Sequence, residues 1–203
     1  MTGGKLHYIY GDNDEYAKGN DTIILNKVSS TRVYGGDGND TITLNSGNNN
    51  QIYGGGGNDT FNINGGSGNL INNNSDNFTA IISGGSGKVS GYSAGGSKII
   101  VDWAKPTAIG SFMIDDDEKN DKLSFKNVSK SAFNKDNFSW DKNKFELTID
   151  FDKSLNGIGE VIISNWSDNS NTCAFKGTIS FVDKNNKPTG ESFTYNEINK
   201  FLS

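Results

Sequence analysis

The sequence predicts an all-β protein that begins with a right-handed parallel β-roll, in which each turn of the chain stacks on the turn before it. Three observations predict this fold: a motif repeated every 19 residues, alternating apolar and polar residues within the motif, and an excess of glycine in residues 1–103. Of the 26 glycines, 21 lie in that half. A fixed period is the signature of a solenoid, and glycine adopts the positive φ angles that tight turns require.

The repeat is carried by three aligned segments, Gly19–Leu25, Gly38–Leu44 and Gly57–Ile63. One apolar position recurs twice in each 19-residue period, and it is occupied in turn by Ile23, Val33, Ile42, Ile52, Phe61 and Ile71. A step of nine or ten residues holds one short strand and one glycine turn. Two steps therefore return the chain to its starting edge, and each such coil lies one strand spacing, about 4.7–4.9 Å, above the last.

The second half, residues 104–203, has a different composition, because ten of the twelve phenylalanines and most charged residues lie there. We predict two domains, the roll at 1–103 and a β-rich, β-sandwich-like capping module with minor α content at 104–203. The expected elements are Ser111–Ile114, Leu123–Phe125, a Phe138–Phe151 hairpin, Val161–Ile163, Thr178–Val182, and helices at Ser131–Lys135 and Tyr195–Leu202. Trp103, Trp140 and Trp166 are interpreted as packing residues.

Composition excludes several classes of function. The net charge of −5 disfavours nucleic acid and anionic membranes as partners, and no apolar run is long enough to span a bilayer. The single cysteine, Cys173, and the single histidine, His7, exclude zinc sites built from several such residues. No nucleophile elbow, zinc-binding histidine pair or Cys–His signature is present. We therefore expect a protein that is not an enzyme.

One aspartate per coil predicts a row of cation sites. Asp21, Asp40 and Asp59 are each 19 residues apart, so they should stack along one edge of the roll. Two carboxylates one strand spacing apart repel by roughly 3–4 kcal/mol at an effective dielectric of 20. A calcium ion between coils, with carboxylate and turn-carbonyl oxygens at about 2.3–2.6 Å, would reverse that sign.

We expect two ions, one between Asp21 and Asp40 and one between Asp40 and Asp59, with a weaker third candidate near Asp76. The opposite edge should carry an uncharged stack of Thr31, Asn50 and Asn69. The acidic run Asp115–Glu118 lacks the spacing of a calcium loop, which favours a solvated turn over another site.

Two segments match a known motif at every fixed position. Gly35–Thr43 and Gly54–Asn62 fit the nonapeptide G-G-x-G-x-D-x-U-x, and the chain resembles the RTX (haemolysin-type) calcium-binding repeat proteins. The copy that ends in Asp21 departs from the motif: Tyr16-Ala17 replace two glycines, and Gly11–Glu15 reads as an insertion. The expected calcium ligands are Gly19, Asp21, Gly36, Asp37, Gly38, Asp40, Gly55, Gly57 and Asp59.

The C-terminal half resembles the module that follows the roll in RTX proteins, through Glu160–Trp166, Ile179–Phe181 and Tyr195–Ile198. This resemblance implies a secreted or cell-surface monomer that folds on calcium. It also implies export by a type I secretion system, whose ABC transporter reads a signal at the C-terminus. The missing N-terminal signal peptide fits that route. The alternative is a calcium-stabilised terminus of an adhesin, a surface-layer protein or a carbohydrate-binding protein.

Overall fold

The computed structural model describes residues 7–12, 18–73, 77–91, 96–104, 109–116, 122–150, 159–164 and 179–203. The strands up to residue 102 are β1 (His7–Tyr10), β2 (Thr22–Leu25), β3 (Thr31–Asp37), β4 (Thr41–Leu44), β5 (Gln51–Gly56), β6 (Asp59–Ile63), β7 (Asn69–Asn73), β8 (Phe78–Ile82), β9 (Gly85–Gly91) and β10 (Lys98–Asp102). They are followed by β11 (Ile109–Asp116), β12 (Lys122–Lys126), β13 (Phe138–Asp141), β14 (Glu146–Asp150), β15 (Glu160–Ile163), β16 (Ile179–Val182), β17 (Pro188–Phe193) and the helix α1 (Tyr195–Leu202).

The strands form two large, mostly parallel sheets, so the predicted all-β roll is confirmed. One sheet has the order β1-β3-β5-β7-β9-β11-β15-β14-β13, and the other has the order β17-β16-β12-β10-β8-β6-β4-β2. Up to β12 the chain alternates between the sheets, and each strand pairs in parallel with the strand two positions earlier. One strand from each sheet thus makes one coil.

The register of the early coils follows the sequence period. Val33 pairs with Ile52 across β3 and β5, and Ile42 pairs with Phe61 across β4 and β6. These four side chains are buried, because alternate residues of a strand point to the same face. The core is therefore one continuous apolar stack between the two sheets.

Both sheets continue across residue 103. β11 pairs with β9 and β15 with β11, while β12 pairs with β10 and β16 with β12, all in parallel. The predicted C-terminal module therefore adds strands to the sheets of the roll. Direction reverses only beyond these coils, where β14 and β13 run antiparallel in one sheet and β17 does so in the other.

Aromatic side chains pack at this reversed end of the roll. The rings of Trp103, Phe125 and Phe133 lie against one another, with centroids 4.6–5.9 Å apart. Phe193 of β17 and Phe201 of α1 extend the same cluster. Closing a solenoid with a distinct terminal unit protects the last strands from pairing with another chain. Trp103 is a buried packing residue as expected, whereas Trp166 lies outside the described residues.

Three predicted elements differ in the structure. The helix expected at Ser131–Lys135 is instead two single-turn 3₁₀ helices, Lys130–Ala132 and Lys135–Asn137, and Asn134 caps the second through its side chain. The sequence analysis predicted no strand between Val182 and the C-terminal helix, but β17 lies there, in a segment whose Pro188 and Gly190 are typical of turns.

The acidic run also differs, because β11 extends through Asp116 and includes Asp115 in the sheet. The Asp115 carboxylate pairs with the Lys88 ammonium and accepts a hydrogen bond from Ser164 Oγ at 2.7 Å. Residues 117 and 118 lie outside the described residues.

The helix α1 is only eight residues long, and no helix of the described ranges is long and apolar enough to cross a membrane.

The acid sensitivity of α1 should depend on Glu197. Lys130 Nζ lies 2.8 Å from Glu197 Oε1, and the Thr194 amide donates to Glu197 Oε2 at 2.8 Å. These interactions lower the pKa of Glu197 from 4.5 to about 2. Because the folded-state pKa is depressed, this contribution to stability is present above pH 4.5 and disappears as the pH falls towards 2.

We therefore expect Glu197→Gln to lose stability at neutral pH and to show a flatter stability profile between these pH values, measured by urea unfolding. Lys130→Met, which keeps Glu197 and removes its cation, should reproduce part of the effect. An unchanged acid slope in Glu197→Gln would contradict this assignment.

Candidate cation sites along the aspartate column

Asp21, Asp40 and Asp59 form a continuous stack on one edge of the roll, referred to below as the aspartate column. The backbone N–H of Asp21 donates to Asp40 Oδ1 at 2.8 Å, and that of Asp40 donates to Asp59 Oδ1 at 2.9 Å. Asp40 and Asp59 are each 1% exposed. In Asp40 and Asp59, Oδ1 therefore accepts a backbone hydrogen bond that joins one coil to the next.

The second carboxylate oxygen is in a different situation. Oδ2 of Asp21 and Oδ2 of Asp40 are buried, and neither accepts a hydrogen bond within the described part of the chain. Burial raises the pKa of Asp40; the negative charges of Asp21 and Asp12 raise it further, and the hydrogen bond from the Asp21 amide opposes them. A buried carboxylate oxygen with no donor is costly unless a cation neutralises it.

These second oxygens face backbone carbonyls. Asp40 Oδ2 and the carbonyl oxygen of Gly54 both lie against the Cα of Gly35, so close that a Cβ on Gly35 would overlap both. Asp21 Oδ2 and the Gly35 carbonyl take the same positions against Gly11. Each glycine thus leaves room beside a carboxylate oxygen of its own coil and a carbonyl oxygen of the next, which are the hard oxygen donors that calcium prefers.

At the third coil an amide side chain takes the place of the carbonyl. A Cβ on Gly54 would overlap Asp59 Oδ2 and Asn73 Oδ1. The oxygen brought to Asp59 is therefore that of Asn73. Asp76, which the sequence suggested for a third site, lies outside the described residues.

The opposite edge carries the same stacking with different chemistry. The backbone N–H of Thr31 donates to Asn50 Oδ1 at 3.1 Å, and the backbone N–H of Asn50 donates to Asn69 Oδ1 at 3.0 Å. Here the second side-chain position is a donor: Asn50 Nδ2 donates to the Val28 carbonyl at 2.7 Å, and Asn69 Nδ2 donates to the Gly47 carbonyl at 3.0 Å. This polar column satisfies itself without an ion.

The predicted glycine ligands lie along the same edge, with Gly36 and Gly55 near the ends of β3 and β5 and Gly38 and Gly57 just beyond those strands. Gly36, Gly38, Gly55 and Gly57 all have positive φ. A Cβ on Gly38 would overlap the carbonyl of Gly19 one coil below. That close approach explains glycine at this position, because a side chain is excluded by both φ and contact.

Asp37, also predicted as a ligand, lies at the surface of the roll. Its side chain is 52% exposed, and its Oδ2 lies 3.2 Å from Lys18 Nζ. Its backbone amide donates to Asp12 Oδ2 at 2.8 Å. The structure therefore brings Asp21, Asp40 and Asp59 together and leaves Asp37 at the surface.

Sequence reasoning missed four residues of this edge: Gly11, Asp12, Gly35 and Gly54. Gly35 and Gly54 were detectable, since each is the first glycine of a complete nonapeptide. The first copy was also misaligned. Tyr10 pairs with Tyr34, and the Gly11 amide donates to the Tyr34 carbonyl at 2.9 Å.

Gly11 and Asp12 therefore occupy the positions of Gly35 and Gly36, and the extra residues follow Asp12. Tyr16 and Ala17 lie outside the described residues.

No group of three or more His, Cys, Asp or Glu side chains in the described ranges is arranged to hold a metal ion. The oxygen pairs of the aspartate column combine one carboxylate with one backbone or amide oxygen. The fold and this edge together define an all-β roll with a buried column of carboxylates. Comparisons with protein-family models, with curated proteins and with solved structures find no match for the chain.

Replacing an aspartate of one edge with asparagine and replacing an asparagine of the other edge with aspartate should have opposite effects on the stability of the calcium-free protein. Asp40→Asn replaces the buried Oδ2 with a donor, as in Asn50, so it should stabilise the calcium-free protein and weaken its response to calcium. Asn50→Asp removes the hydrogen bond to the Val28 carbonyl and buries a charge, which should cost about 1–3 kcal/mol. Thermal unfolding in chelator and in calcium measures both effects, and equal calcium responses in wild type and Asp40→Asn would contradict the role of Oδ2.

Two glycine substitutions should differ sharply. Gly35→Ala places a Cβ on Asp40 Oδ2 and on the Gly54 carbonyl, whereas the nearest atom to a Cβ on Gly19 is 3.5 Å away. We expect Gly35→Ala to lower the apparent calcium affinity by about tenfold or more and Gly19→Ala to leave it nearly unchanged. Calcium titration monitored by circular dichroism checks this, and similar affinities for the two variants would refute the placement of the site.

Proposed function

We propose that this chain is a calcium-dependent folding and export module of a secreted RTX-type protein, in which calcium ions neutralise the aspartate column. The observation that carries the proposal is the pair of buried carboxylate oxygens, on Asp21 and Asp40, that meet carbonyl oxygens instead of donors. Adjacent carboxylates repel one another in the absence of an ion. Folding of this edge therefore depends on a cation.

The donor set favours calcium over other divalent ions. It consists of carboxylate, carbonyl and amide oxygens, whereas zinc prefers nitrogen and sulfur ligands. Magnesium requires a small, regular octahedron and retains its water ligands. A column built from backbone turns presents oxygens at the spacing of the strands, which suits the longer and more variable calcium–oxygen distances.

Calcium binding at extracellular concentrations would couple folding to location. Extracellular calcium modules have dissociation constants of about 10⁻⁴–10⁻³ M. With a value near 0.1 mM, about 1 mM calcium stabilises the folded state by roughly 1.4 kcal/mol per ion. Two ions would contribute about 3 kcal/mol, a large share of a typical stability of 5–15 kcal/mol.

The export part of the proposal depends on the resemblance of the nonapeptides and of the C-terminal segments to RTX proteins. In this proposal the partner is a type I ABC transporter that recognises the C-terminal region, and the folded product is a secreted or cell-surface monomer. The acidic net charge of −5 is in keeping with a protein that binds cations rather than nucleic acid.

The central prediction is that calcium controls folding of the full chain. In excess chelator the β-sheet circular dichroism should be reduced, and it should return on addition of calcium but not of an equal concentration of magnesium. The triple variant Asp21→Asn/Asp40→Asn/Asp59→Asn should no longer distinguish calcium from chelator. A wild-type chain equally folded in chelator and in calcium would overturn the proposal.

Export is tested with the full chain fused behind a reporter in cells that carry a type I transporter. Both sheets run through residue 103, so the C-terminal half is not separated from the roll in this test. We expect reporter activity in the medium, lost when the helix α1 is deleted. Transporter-independent release of the fusion would contradict the export assignment and leave calcium-dependent folding to be judged by circular dichroism.

A further inference from the structure

A row of tyrosines runs across the outer face of the sheet that contains β1, β3 and β5. Tyr10, Tyr34 and Tyr53 occupy equivalent positions on these strands. Their ring centroids are 5.3 and 5.0 Å apart, with ring planes within 10° of parallel. Tyr8 lies beside Tyr10 in the same orientation, at 6.2 Å. We refer to these four residues as the tyrosine ladder.

The exposure of the rings differs along the ladder. Tyr10, Tyr34 and Tyr53 stack on one another with centroid separations of 5.0–5.3 Å, within the range of favourable aromatic pairs. Tyr8 and Tyr10 are the most open, with 49% and 58% of each residue exposed.

The guanidinium of Arg32 and the side-chain amide of Gln51 lie next to the rings of the ladder. Arg32 Nε donates to Gln51 Oε1 at 2.9 Å, and the Tyr53 hydroxyl donates to the same oxygen at 3.3 Å. The Arg32 guanidinium also lies over the Tyr8 ring, 6.0 Å from its centroid. The guanidinium and the side-chain amide are thus held in position beside the ladder.

We propose that this face binds a neutral polysaccharide, with sugar rings lying on the tyrosine ladder and their hydroxyl groups bonded by Arg32, Gln51 and the tyrosine hydroxyls. Exposed apolar surface bordered by polar groups marks an interaction site. Sugar rings present C–H faces to aromatic rings and hydroxyl groups to planar donors. The rings follow one another from strand to strand, so an extended chain could contact several of them at once.

Charge distinguishes this ligand from other polymers. Among the side chains of the described strands β1, β3 and β5, the groups that are always charged at neutral pH are Arg32, beside the ladder, and Asp37 at the end of β3, whose Oδ2 lies 3.2 Å from Lys18 Nζ. Nucleic acids and anionic membranes require several cations, because their binding depends on neutralising many phosphates. One guanidinium that is already bonded to Gln51 does not supply that charge.

The inference is independent of the calcium proposal, because the ladder lies on the outer face of the sheet and the aspartate column lies in the turns of one edge. Cross-strand aromatic pairs also stabilise sheets, so the experiment must separate binding from stability. Native affinity electrophoresis of the calcium-loaded full chain does this, with hydroxyethyl cellulose, laminarin, galactomannan or dextran in the gel.

We expect at least one of these neutral polysaccharides to retard the wild-type chain. Tyr10→Ala should weaken the retardation by about tenfold, and Tyr34→Phe, which preserves stacking, should weaken it less. The matched control is Thr43→Ala, on the outer face of the other sheet, which should behave as wild type. Circular dichroism in calcium confirms folding of each variant, and Tyr10, which is 58% exposed, can be removed without opening the core.

Absence of retardation in all four gels would overturn the proposal. So would retardation that Tyr10→Ala leaves unchanged, because binding would then lie elsewhere. Tight binding to single-stranded DNA or heparin, with none to the neutral polymers, would also contradict it by showing that charge rather than ring stacking governs recognition.

Discussion

The structure depends on one constraint, which is that each early coil places the same atoms one strand spacing above those of the coil before it. The hydrogen bond from one column residue to the side chain of the next, as from Asp40 to Asp59 at 2.9 Å, is possible only in that register. Because equivalent residues lie above one another, each kind of side chain forms a continuous row. Apolar residues become a continuous core, tyrosines become a ladder, and carboxylates become a line of like charge.

The two edges of the roll differ by one side-chain atom per coil, although we propose a bound ion for only one of them. Asp40 and Asn50 direct one oxygen to the same kind of backbone contact, and they differ in the second atom of the side chain. With nitrogen at that position, the column bonds to a carbonyl of the preceding coil. With oxygen, two acceptors face each other. The ion dependence that we propose is therefore confined to one edge, and the side chains of the other edge bond to one another without an ion.

The 19-residue period allowed most of the roll to be predicted. Apolar residues and aspartates that recur at this period must occupy equivalent positions in successive coils. Gly35 and Gly54 were missed although both belong to complete nonapeptides, because the motif alone does not show which of its glycines brings a carbonyl to a neighbouring carboxylate. The register of the first copy was wrong, since Ile9 to Ile23 could be aligned with the extra residues placed on either side of the turn.

Prediction was weaker in the second half, because the 19-residue period of the sequence is lost there although the two sheets continue. Ser111 pairs with Glu160, 49 residues later, and no repeat could reveal that pairing. β17 was missed because Pro188 and Gly190 are typical of turns, and only its place at the end of a sheet makes them tolerable.

The constant offset between neighbouring coils also limits how such a chain can change in length. Removing or adding 19 residues within the repeated segment would leave each side chain above an equivalent partner. A change of a single residue would turn apolar side chains to the outside for the rest of that strand and interrupt both edge columns. Insertions and deletions are therefore compatible with the repeated part of this architecture in whole coils, or between one strand and the next, where the five extra residues of the first copy follow Asp12 in the sequence.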